Sequence, residues 1–294
     1  MLKPANKEKI AVIGLGLIGG SLLKALRGKV GELIGVSRNP DTIKKVLKNG
    51  LADTASVDLS IVKDADIVFI CTPINLVIQT IEKVSKIVSP ECIITDAASL
   101  KGFILDHVNA GSDKINFIGG HLMAGTENKG IDSAVDGLFE QAKWVLTPSR
   151  FAAQADIDRL QKIIELTGAI PVFADAHEHD EAVALISHMP MVLSQALFNM
   201  ANNYPDESVK NLAFTLASSG FRDMTRLACS NPEMANDMIN LNRENIADAL
   251  NLLESSIKYI EQNFNLENGD FAKNLENMII ARKKLYDENG KNTF

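Results

Sequence analysis

A short apolar run leads directly into glycines near the start of the chain, and this feature constrains the fold most. Residues 9–13 read KIAVI and residues 14–19 read GLGLIG, so Gly14, Gly16 and Gly19 form a G-x-G-x-x-G pattern. A strand that ends in this pattern and opens a helix is typical of a dinucleotide-binding turn. The glycines permit a tight turn, close approach of a pyrophosphate, and close helix–strand packing. The alternative is a tight turn that holds no ligand.

Six further apolar runs repeat the strand pattern over the first 175 residues. They are ELIGVS (32–37), ADIVFICT (65–72), CIITDAAS (92–99), INFIGG (115–120), KWVLTP (143–148) and AIPVFA (169–174). Such runs suit parallel strands that are buried on both faces. Segments of helical character lie between several of them, at 17–28, 40–49 and 74–88. Strands that alternate with helices predict a doubly wound α/β domain.

The strand pattern stops near residue 175, and the rest of the sequence is helical in character. The segment EAVALISHMPMVLSQALFNMA is long and apolar at helical spacing. A helix that is apolar nearly all round suits the centre of a bundle, including one shared between two subunits. We therefore predict an α/β, Rossmann-like dinucleotide-binding domain over residues 1–175. An all-α substrate and dimerisation domain is predicted over residues 176–294.

The sequence after the second predicted strand indicates which dinucleotide binds. NAD sites usually carry Asp or Glu there to bind the ribose 2′-hydroxyl, but this chain has Ser37, Arg38 and Asn39. A hydroxyl and a guanidinium suit a 2′-phosphate, which predicts NADP. If Arg38 only stacks on the adenine, NAD also binds. We predict that three stretches bind the cofactor: the glycine turn, the end of the second strand, and the CTP that ends the strand at 65–72. Their residues are Gly14, Gly16, Leu17, Ile18, Gly19, Ser37, Arg38, Thr72 and Pro73. For Thr72, the alternative is a plain strand-ending turn.

Composition limits the partners and the location. The formal net charge is −7, which argues against broad binding to nucleic acid or to an anionic membrane. We find no secretory apolar segment at the N-terminus and no apolar run that looks long enough to span a bilayer, so a cytoplasmic protein is expected. The three cysteines show no disulfide or zinc spacing. His177 and His179 in HEHDEA lack a third ligand at a recognisable spacing, so we interpret them as a polar helix start and expect no metal site.

Five stretches in order along the chain carry a family likeness. They are GLGLIGGSL (14–22), TDAASLKG (95–102), GGHLMAGTENKG (119–130), SHMP (187–190) and SSGFRDMTRLA (218–228). Together they resemble the prephenate and arogenate dehydrogenases of tyrosine biosynthesis over about residues 9–260. The likeness is strongest to the compact NADP-dependent type found in cyanobacteria. It implies a homodimer formed through the helical domain. We also expect no regulatory extension, because the predicted helices occupy the remaining length of the sequence.

The resemblance also implies an oxidative decarboxylation. In this family, a cyclohexadienol gives a hydride to the nicotinamide, its ring carboxylate leaves as carbon dioxide, and the ring becomes aromatic. Prephenate would yield 4-hydroxyphenylpyruvate and arogenate would yield tyrosine. Because aromatisation drives the reaction, the protein mainly orients and polarises the reacting groups.

Five residues match functional positions of the family. His121 matches the histidine that accepts the proton of the ring hydroxyl, a task that suits an imidazole with the usual pKa of about 6.5; otherwise it is a surface histidine in a glycine-rich loop. Ser99 matches a serine between this histidine and the nicotinamide, so the resemblance implies both a catalytic and a cofactor-binding role, and it could also cap a helix. Arg226 matches the arginine that binds the ring carboxylate. Arg222, four residues earlier, would share its helical face, and the alternative for both is a solvated face. Glu127 lies where some relatives carry a gating glutamate.

Three departures from the family pattern bear on the substrate. Leu122 replaces a proline after the histidine, Met191 replaces a second histidine, and Ala235 replaces a tryptophan found in some prephenate-specific relatives. The last two positions are thought to read the substrate side chain, so their loss favours arogenate over prephenate. Alternatives are a prephenate-specific NAD(P) enzyme, another oxidoreductase of the β-hydroxyacid dehydrogenase or pyrroline-carboxylate reductase type, and a non-catalytic NADP-sensing module. His188 in SHMP is expected in the core or in a pocket wall.

Overall fold

An eight-stranded sheet organises the N-terminal half of the protein. The computed structural model describes residues 4–125, 128, 130–263 and 269–286. The strands are β1 (Lys9–Ile13), β2 (Glu32–Val36), β3 (Thr54–Ser56), β4 (Ile67–Ile70), β5 (Ile93–Asp96), β6 (Phe117–Leu122), β7 (Lys143–Pro148) and β8 (Ile170–Phe173). Their order across the sheet is β3-β2-β1-β4-β5-β6-β7-β8. The carboxyl ends of β1 and β4 flank the point where the strand order reverses, which is where ligands bind in such sheets.

Most strand pairs are parallel, but β7 runs antiparallel to β6. All seven predicted strands are present, so the prediction of strand positions is confirmed. The expectation of parallel strands was wrong for β7 and for β8, which pairs parallel with β7, because a buried apolar run has the same composition in either direction. Strand β3 was missed because it has only three residues, Thr-Ala-Ser, and none of them is fully buried.

Helices cover both faces of the sheet. They are α1 (Leu17–Leu26), α2 (Pro40–Lys48), α3 (Val77–Ser85), α4 (Gly102–Ala110) and α5 (Gln154–Leu166). Alternate residues of β1 belong to opposite cores: Ile10 and Val12 pack in the core beneath α1, α2 and α5, whereas Ala11 and Ile13 pack in the core beneath α3 and α4. Strands that are apolar at every position therefore bury both faces, as a doubly wound sheet requires.

Helices account for the second half of the described chain. They are α6 (Ala176–Val183), α7 (Met189–Asn202), α8 (Glu207–Leu216), α9 (Ser219–Thr225), α10 (Pro232–Leu241), α11 (Arg243–Gln262) and α12 (Gly269–Leu285), with a π-helical turn at Ala184–His188 and a 3-10 turn at Arg226–Cys229. The chain divides into two compact units, residues 1–246 and residues 247–294. The sheet, helices α1–α10 and the polar network described below all lie in the first unit.

The continuous helical segment Ala176–Asn202 is long and apolar enough, by length and composition alone, to cross a membrane. This corrects the expectation that no apolar run reaches that length. However, the segment carries four buried polar side chains, and each of them is hydrogen-bonded to other parts of the protein; they are His179, Asp180, His188 and Ser194. We therefore interpret the segment as a packed helix of the domain rather than as a membrane span.

Candidate active site

The glycine turn after β1 has the geometry of a phosphate-binding loop. Gly14 has a φ of 95°, and a Cβ atom there would lie 2.6 Å from the carbonyl oxygen of Cys71. A Cβ atom on Gly19 would lie 2.1 Å from the carbonyl oxygen of Gly14, so strand and helix pack closely. By contrast, nothing lies within 4 Å of a Cβ atom built on Gly16. The backbone is thus open at the one glycine where a pyrophosphate would approach.

Two polar groups near this turn lack partners among the residues that the structure describes. The buried Oγ1 of Thr72, just beyond β4, has no hydrogen-bond partner in the described part of the chain. Arg38, just beyond β2, is exposed, and its guanidinium forms no ion pair with any described residue. Ser37 accepts a hydrogen bond from the backbone N–H of Asn39 at 3.3 Å. A buried hydroxyl without a partner and a free cation both suit a phosphorylated ribose.

The remaining predicted cofactor residues also border this crevice. Leu17 and Ile18 begin α1, and Pro73 follows Thr72 at the carboxyl end of β4. The residues present therefore fit a dinucleotide, and their role in binding stays a prediction.

His121 lies near the carboxyl end of β6 and heads a chain of hydrogen bonds. Its Nδ1 lies 2.7 Å from Nε2 of His179 in α6. The two imidazole rings are nearly perpendicular, with centroids 5.0 Å apart. Nδ1 of His179 lies 2.8 Å from Oδ1 of Asp180. The contact joins β6 to the helix that packs against α4.

Asp180 is itself held by the first turn of α4. Oδ1 accepts the backbone N–H of Lys101, and Oδ2 accepts that of Gly102, each at 2.8 Å. These are amides that a helix N-terminus leaves without partners of its own. A Cβ atom on Gly102 would lie only 2.9 Å from Oδ2, so glycine is needed for this approach. One carboxylate thus joins the helical half of the protein to the sheet.

A buried ion pair supports the backbone beside His121. Lys101 and Asp96 are both fully buried, and the ammonium of Lys101 donates to the carboxylate of Asp96. The same ammonium donates to the carbonyl oxygen of Gly120 at 2.7 Å, and Oδ1 of Asp96 accepts the N–H of Gly120 at 2.9 Å. Both backbone groups of the residue before His121 are therefore fixed.

The surroundings of His121 keep it neutral. Burial lowers the pKa of its imidazole well below the usual 6.5, and the nearby His179, Lys101 and His188 lower it further. This corrects the expectation that the pKa stays near 6.5. A neutral imidazole has one ring nitrogen without a proton, and that nitrogen can accept one from a substrate.

A second buried histidine closes the network. Nδ1 of His188 lies 3.0 Å from Nδ2 of Asn242, which also donates to the backbone oxygen of Asp180 at 2.9 Å. Burial lowers the pKa of His188 to about 4. Its position fits the expectation of a core or pocket-wall histidine.

This buried histidine predicts a pH dependence of stability. The unfolded chain takes up a proton near pH 6.5, whereas folded His188 does so only near pH 4. Its contribution is therefore complete above pH 6.5, and below that the free energy of unfolding falls by about 1.4 kcal/mol per pH unit down to about pH 4. We expect His188→Gln to lose this part of the slope in urea unfolding measured from pH 7.5 to 4.5 at fixed protein concentration. The same slope in both proteins would contradict the prediction; His177→Gln, at an exposed site, is the control.

With this geometry described, comparison with known proteins gives the family. Residues 22–172 match the family described as prephenate dehydrogenase, nucleotide-binding domain. Residues 175–279 match the family described as prephenate dehydrogenase, dimerization domain. The chain belongs to the prephenate dehydrogenase family.

Solved structures agree with this assignment. Synechocystis arogenate dehydrogenase is 38% identical, with a TM-score of 0.85 over 94% of this chain and 99% of that one. Prephenate dehydrogenase from A. aeolicus, in complex with hydroxyphenyl propionate and NAD+, is 28% identical, with a TM-score of 0.86 over 95% and 99%. A 3-hydroxyisobutyrate dehydrogenase from Salmonella typhimurium, 15% identical with a TM-score of 0.57, covers 84% of this chain and 88% of its own and shares the fold alone.

Among curated relatives, the prephenate dehydrogenase of Bacillus subtilis is 32% identical over 82% of this chain. The alignment spans 66% of the Bacillus protein, so this chain corresponds to about two thirds of that relative's length.

The other residues expected from the prephenate dehydrogenase pattern lie at different places. Ser99 is half-buried in the loop after β5, and it does not cap α4, whose cap position is Lys101. Arg222 lies on α9 and pairs with Asp223 at the surface, 3.0 Å from Nε to Oδ1. Arg226 begins the 3-10 turn after α9, so the two arginines are on successive segments and not on one regular helix. Glu127 lies outside the described residues.

Arg226 is exposed, and it forms no ion pair within the described ranges. The turn that carries it is tied to α7, because Oγ of Ser194 accepts the backbone N–H of Ala228 at 3.0 Å. A free guanidinium on an anchored turn can bind a carboxylate.

The sequence interpretation of HEHDEA was wrong for His179. His177 is an exposed helix-start residue, as expected, whereas His179 and Asp180 are buried and belong to the network of His121. A helical stripe at 176, 179, 180 and 183 gives the signal that could have found them, since all four residues are buried. The roles of Asp96 and Lys101 were also missed, although both residues lie in the stretch TDAASLKG (95–102). Within the described ranges, the structure has no group of three or more His, Cys, Asp or Glu that could hold a metal.

Proposed function

We propose that this protein catalyses the oxidative decarboxylation of arogenate to tyrosine with NADP. Membership of the prephenate dehydrogenase family supports the reaction type. The observation that carries the proposal is the half-buried, neutral imidazole of His121 at the sheet edge that also presents the glycine turn. A base beside a dinucleotide crevice is what removal of a hydroxyl proton, coupled to hydride loss, requires.

Different residues of this chain have different roles in the proposed reaction. The turn at Gly14–Gly19, with Thr72, Ser37 and Arg38, holds the dinucleotide. When bound, the oxidised nicotinamide takes up the hydride from the ring carbon that bears the hydroxyl. His121 accepts the hydroxyl proton, so that the carbon–oxygen bond gains double-bond character as the hydride leaves.

Loss of carbon dioxide completes the proposed reaction. Arg226 binds the ring carboxylate and orients it, and the electrons of its breaking carbon–carbon bond make the ring aromatic. Ser99, in the loop after β5, would donate a hydrogen bond to the ring hydroxyl. As the ring becomes aromatic, its oxygen gains the electrons of the broken bond, and the proton held on His121 returns to that oxygen to give the phenol.

The preference for NADP rests on Arg38. Replacement by glutamine removes a charged partner of the 2′-phosphate, and hydrogen bonds to charged groups contribute about 1.5–3 kcal/mol. We therefore expect Arg38→Gln to raise KM for NADP about 10- to 100-fold and to change KM for NAD less than about 2-fold. Steady-state kinetics with each cofactor measure this. Lys48→Gln, an exposed residue at the end of α2, is the control, and an equal loss with NAD and NADP would refute the assignment.

The preference for arogenate rests on two apolar positions. Met191 and Ala235 are buried together in a small cluster with Met238, 3%, 4% and 7% exposed. Neither side chain can donate a hydrogen bond to a ketone, so the chain lacks a group suited to the prephenate side chain there. The likeness to Synechocystis arogenate dehydrogenase supports the same preference. A prephenate-specific enzyme is the alternative.

One experiment tests the whole proposal. Purified protein is assayed on arogenate and on prephenate, each with NADP and with NAD, by the absorbance of the reduced nicotinamide. We expect turnover on arogenate with NADP to exceed the other three combinations. A preference for prephenate would overturn the argument from Met191 and Ala235, and no turnover on either substrate would overturn the proposed function.

We also propose a homodimer formed through the helical half, in the cytoplasm. The match to the dimerization domain supports the homodimer. Exposed apolar side chains on α7 and α8 support it as well, including Met200, Leu212 and Leu216, which are 63%, 58% and 69% exposed. A monomer mass by light scattering at assay concentration would contradict the homodimer.

The proposed cytoplasmic location rests on composition. The free thiols and the net charge of −7 fit it, and cell fractionation would test it.

A further inference from the structure

We propose that His179 and Asp180 are positioning residues that fix the tautomer of His121, so that Nε2 of His121 is the atom that accepts the substrate proton. The inference rests on the proposed function for its consequence, but the tautomer itself is a property of the free protein. It follows from the direction of three consecutive hydrogen bonds.

The direction is set at Asp180. Both carboxylate oxygens already accept backbone N–H groups, from Lys101 and from Gly102. An ionised carboxylate only accepts hydrogen bonds. The third contact, at 2.8 Å from Nδ1 of His179, is therefore an N–H donated by the imidazole.

This direction is passed on to His121. A neutral imidazole carries one N–H, so His179 with its proton on Nδ1 has a lone pair on Nε2. That lone pair faces Nδ1 of His121 at 2.7 Å, a distance that requires a donor opposite it. His121 therefore carries its proton on Nδ1. Its Nε2 is left with a lone pair.

The position of His179 within the network fits this direction. Its side chain is 4% exposed, and both ring nitrogens face groups of the protein, with Asp180 at Nδ1 and His121 at Nε2. With its one N–H donated to Asp180, the ring accepts from His121, and His121 stays in the tautomer that acts as a base.

The test uses variants of His179 because Asp180 also anchors α4. His179→Phe keeps the ring and removes the acceptor, so Nδ1–H of His121 loses its partner. We expect kcat to fall about 10- to 100-fold, a part of the roughly 10²- to 10⁴-fold that a general base supplies, with KM for substrate and cofactor within about 2-fold. His179→Gln, whose side-chain oxygen can still accept, should recover part of kcat. His177→Phe, at an exposed site on the same helix, should keep the wild-type rate.

A spectroscopic measurement separates this inference from the proposed function. Two-bond ¹H–¹⁵N spectra of the full-length protein labelled with ¹⁵N-histidine report which ring nitrogen carries the proton, and His121→Asn assigns the signals. We expect a protonated Nδ1 and an unprotonated Nε2 for His121 in the wild-type protein, with mixed tautomers in His179→Phe. The opposite tautomer in the wild type, or an unchanged tautomer and kcat in His179→Phe, would overturn the inference. Absence of turnover in the wild type would overturn only the proposed function.

Discussion

Replacement of His121 by asparagine is expected to lower kcat on arogenate by about 10²- to 10⁴-fold, which is the range that a positioned general base supplies. Asparagine can still hydrogen-bond the ring hydroxyl, but it cannot take its proton. The dinucleotide crevice is formed by other residues, so the Kd for NADP should change less than about 2-fold. Steady-state kinetics and a fluorescence titration with NADP measure the two quantities.

His107→Asn is the matched control for this substitution. His107 lies on the surface of α4, where its Nε2 is 3.0 Å from Oε1 of Glu82, and it has no part in the site. Its replacement should leave kcat within about 2-fold. If the His121 variant turned over at the wild-type rate, His121 would not be the base and the proposed chemistry would need another acceptor.

Lys101→Met is expected to lower the free energy of unfolding by about 3–5 kcal/mol, because removal of one partner leaves the other as an uncompensated buried charge. Asp96 is fully buried, and no water can replace the ammonium that it loses. Urea unfolding at pH 7 and at fixed protein concentration measures the change. Activity should fall with stability, since Gly120 beside His121 loses a hydrogen bond as well.

Two further variants make this prediction sharp. Lys45→Met breaks the surface ion pair with Asp132, whose side chain is 74% exposed, and should cost at most about 1 kcal/mol. Addition of Asp96→Asn to Lys101→Met removes the stranded charge and should restore part of the lost stability. Equal effects of the two lysine substitutions would show that the buried pair contributes no more than a surface pair.

The fold could be predicted largely because local patterns determine it. Strand β4 is apolar at every position, as is β1 after Lys9, and β1 ends in the glycine turn, so burial on both faces and the candidate nucleotide site follow from neighbouring residues. The direction of β7 could not be predicted in the same way, since it depends on how the chain returns to the sheet and not on the residues of the strand.

The candidate site was predicted only in part, for a related reason. His121 could be found from its loop, but its partner His179 is 58 residues away, and the contact exists only after α6 packs on the sheet. The buried pair of Asp96 and Lys101 spans five residues and still reads as an ordinary polar loop, because sequence alone does not reveal that both side chains are enclosed. The lowered pKa of His121 depends on the same enclosure.

The bonds of Asp180 have a consequence for the modularity of this protein. The carboxylate holds α6 against the start of α4 and also ends the chain of hydrogen bonds from His121. The packing of α6 against α4 therefore also completes the hydrogen bonds that orient His121. A chimera that joins this nucleotide-binding half to a relative's helical half would remain a competent nucleotide binder, yet it would gain a working base only if the donor brought an equivalent His–Asp pair. Under the proposed function, the helical half would then take part in catalysis as well as in the proposed dimer.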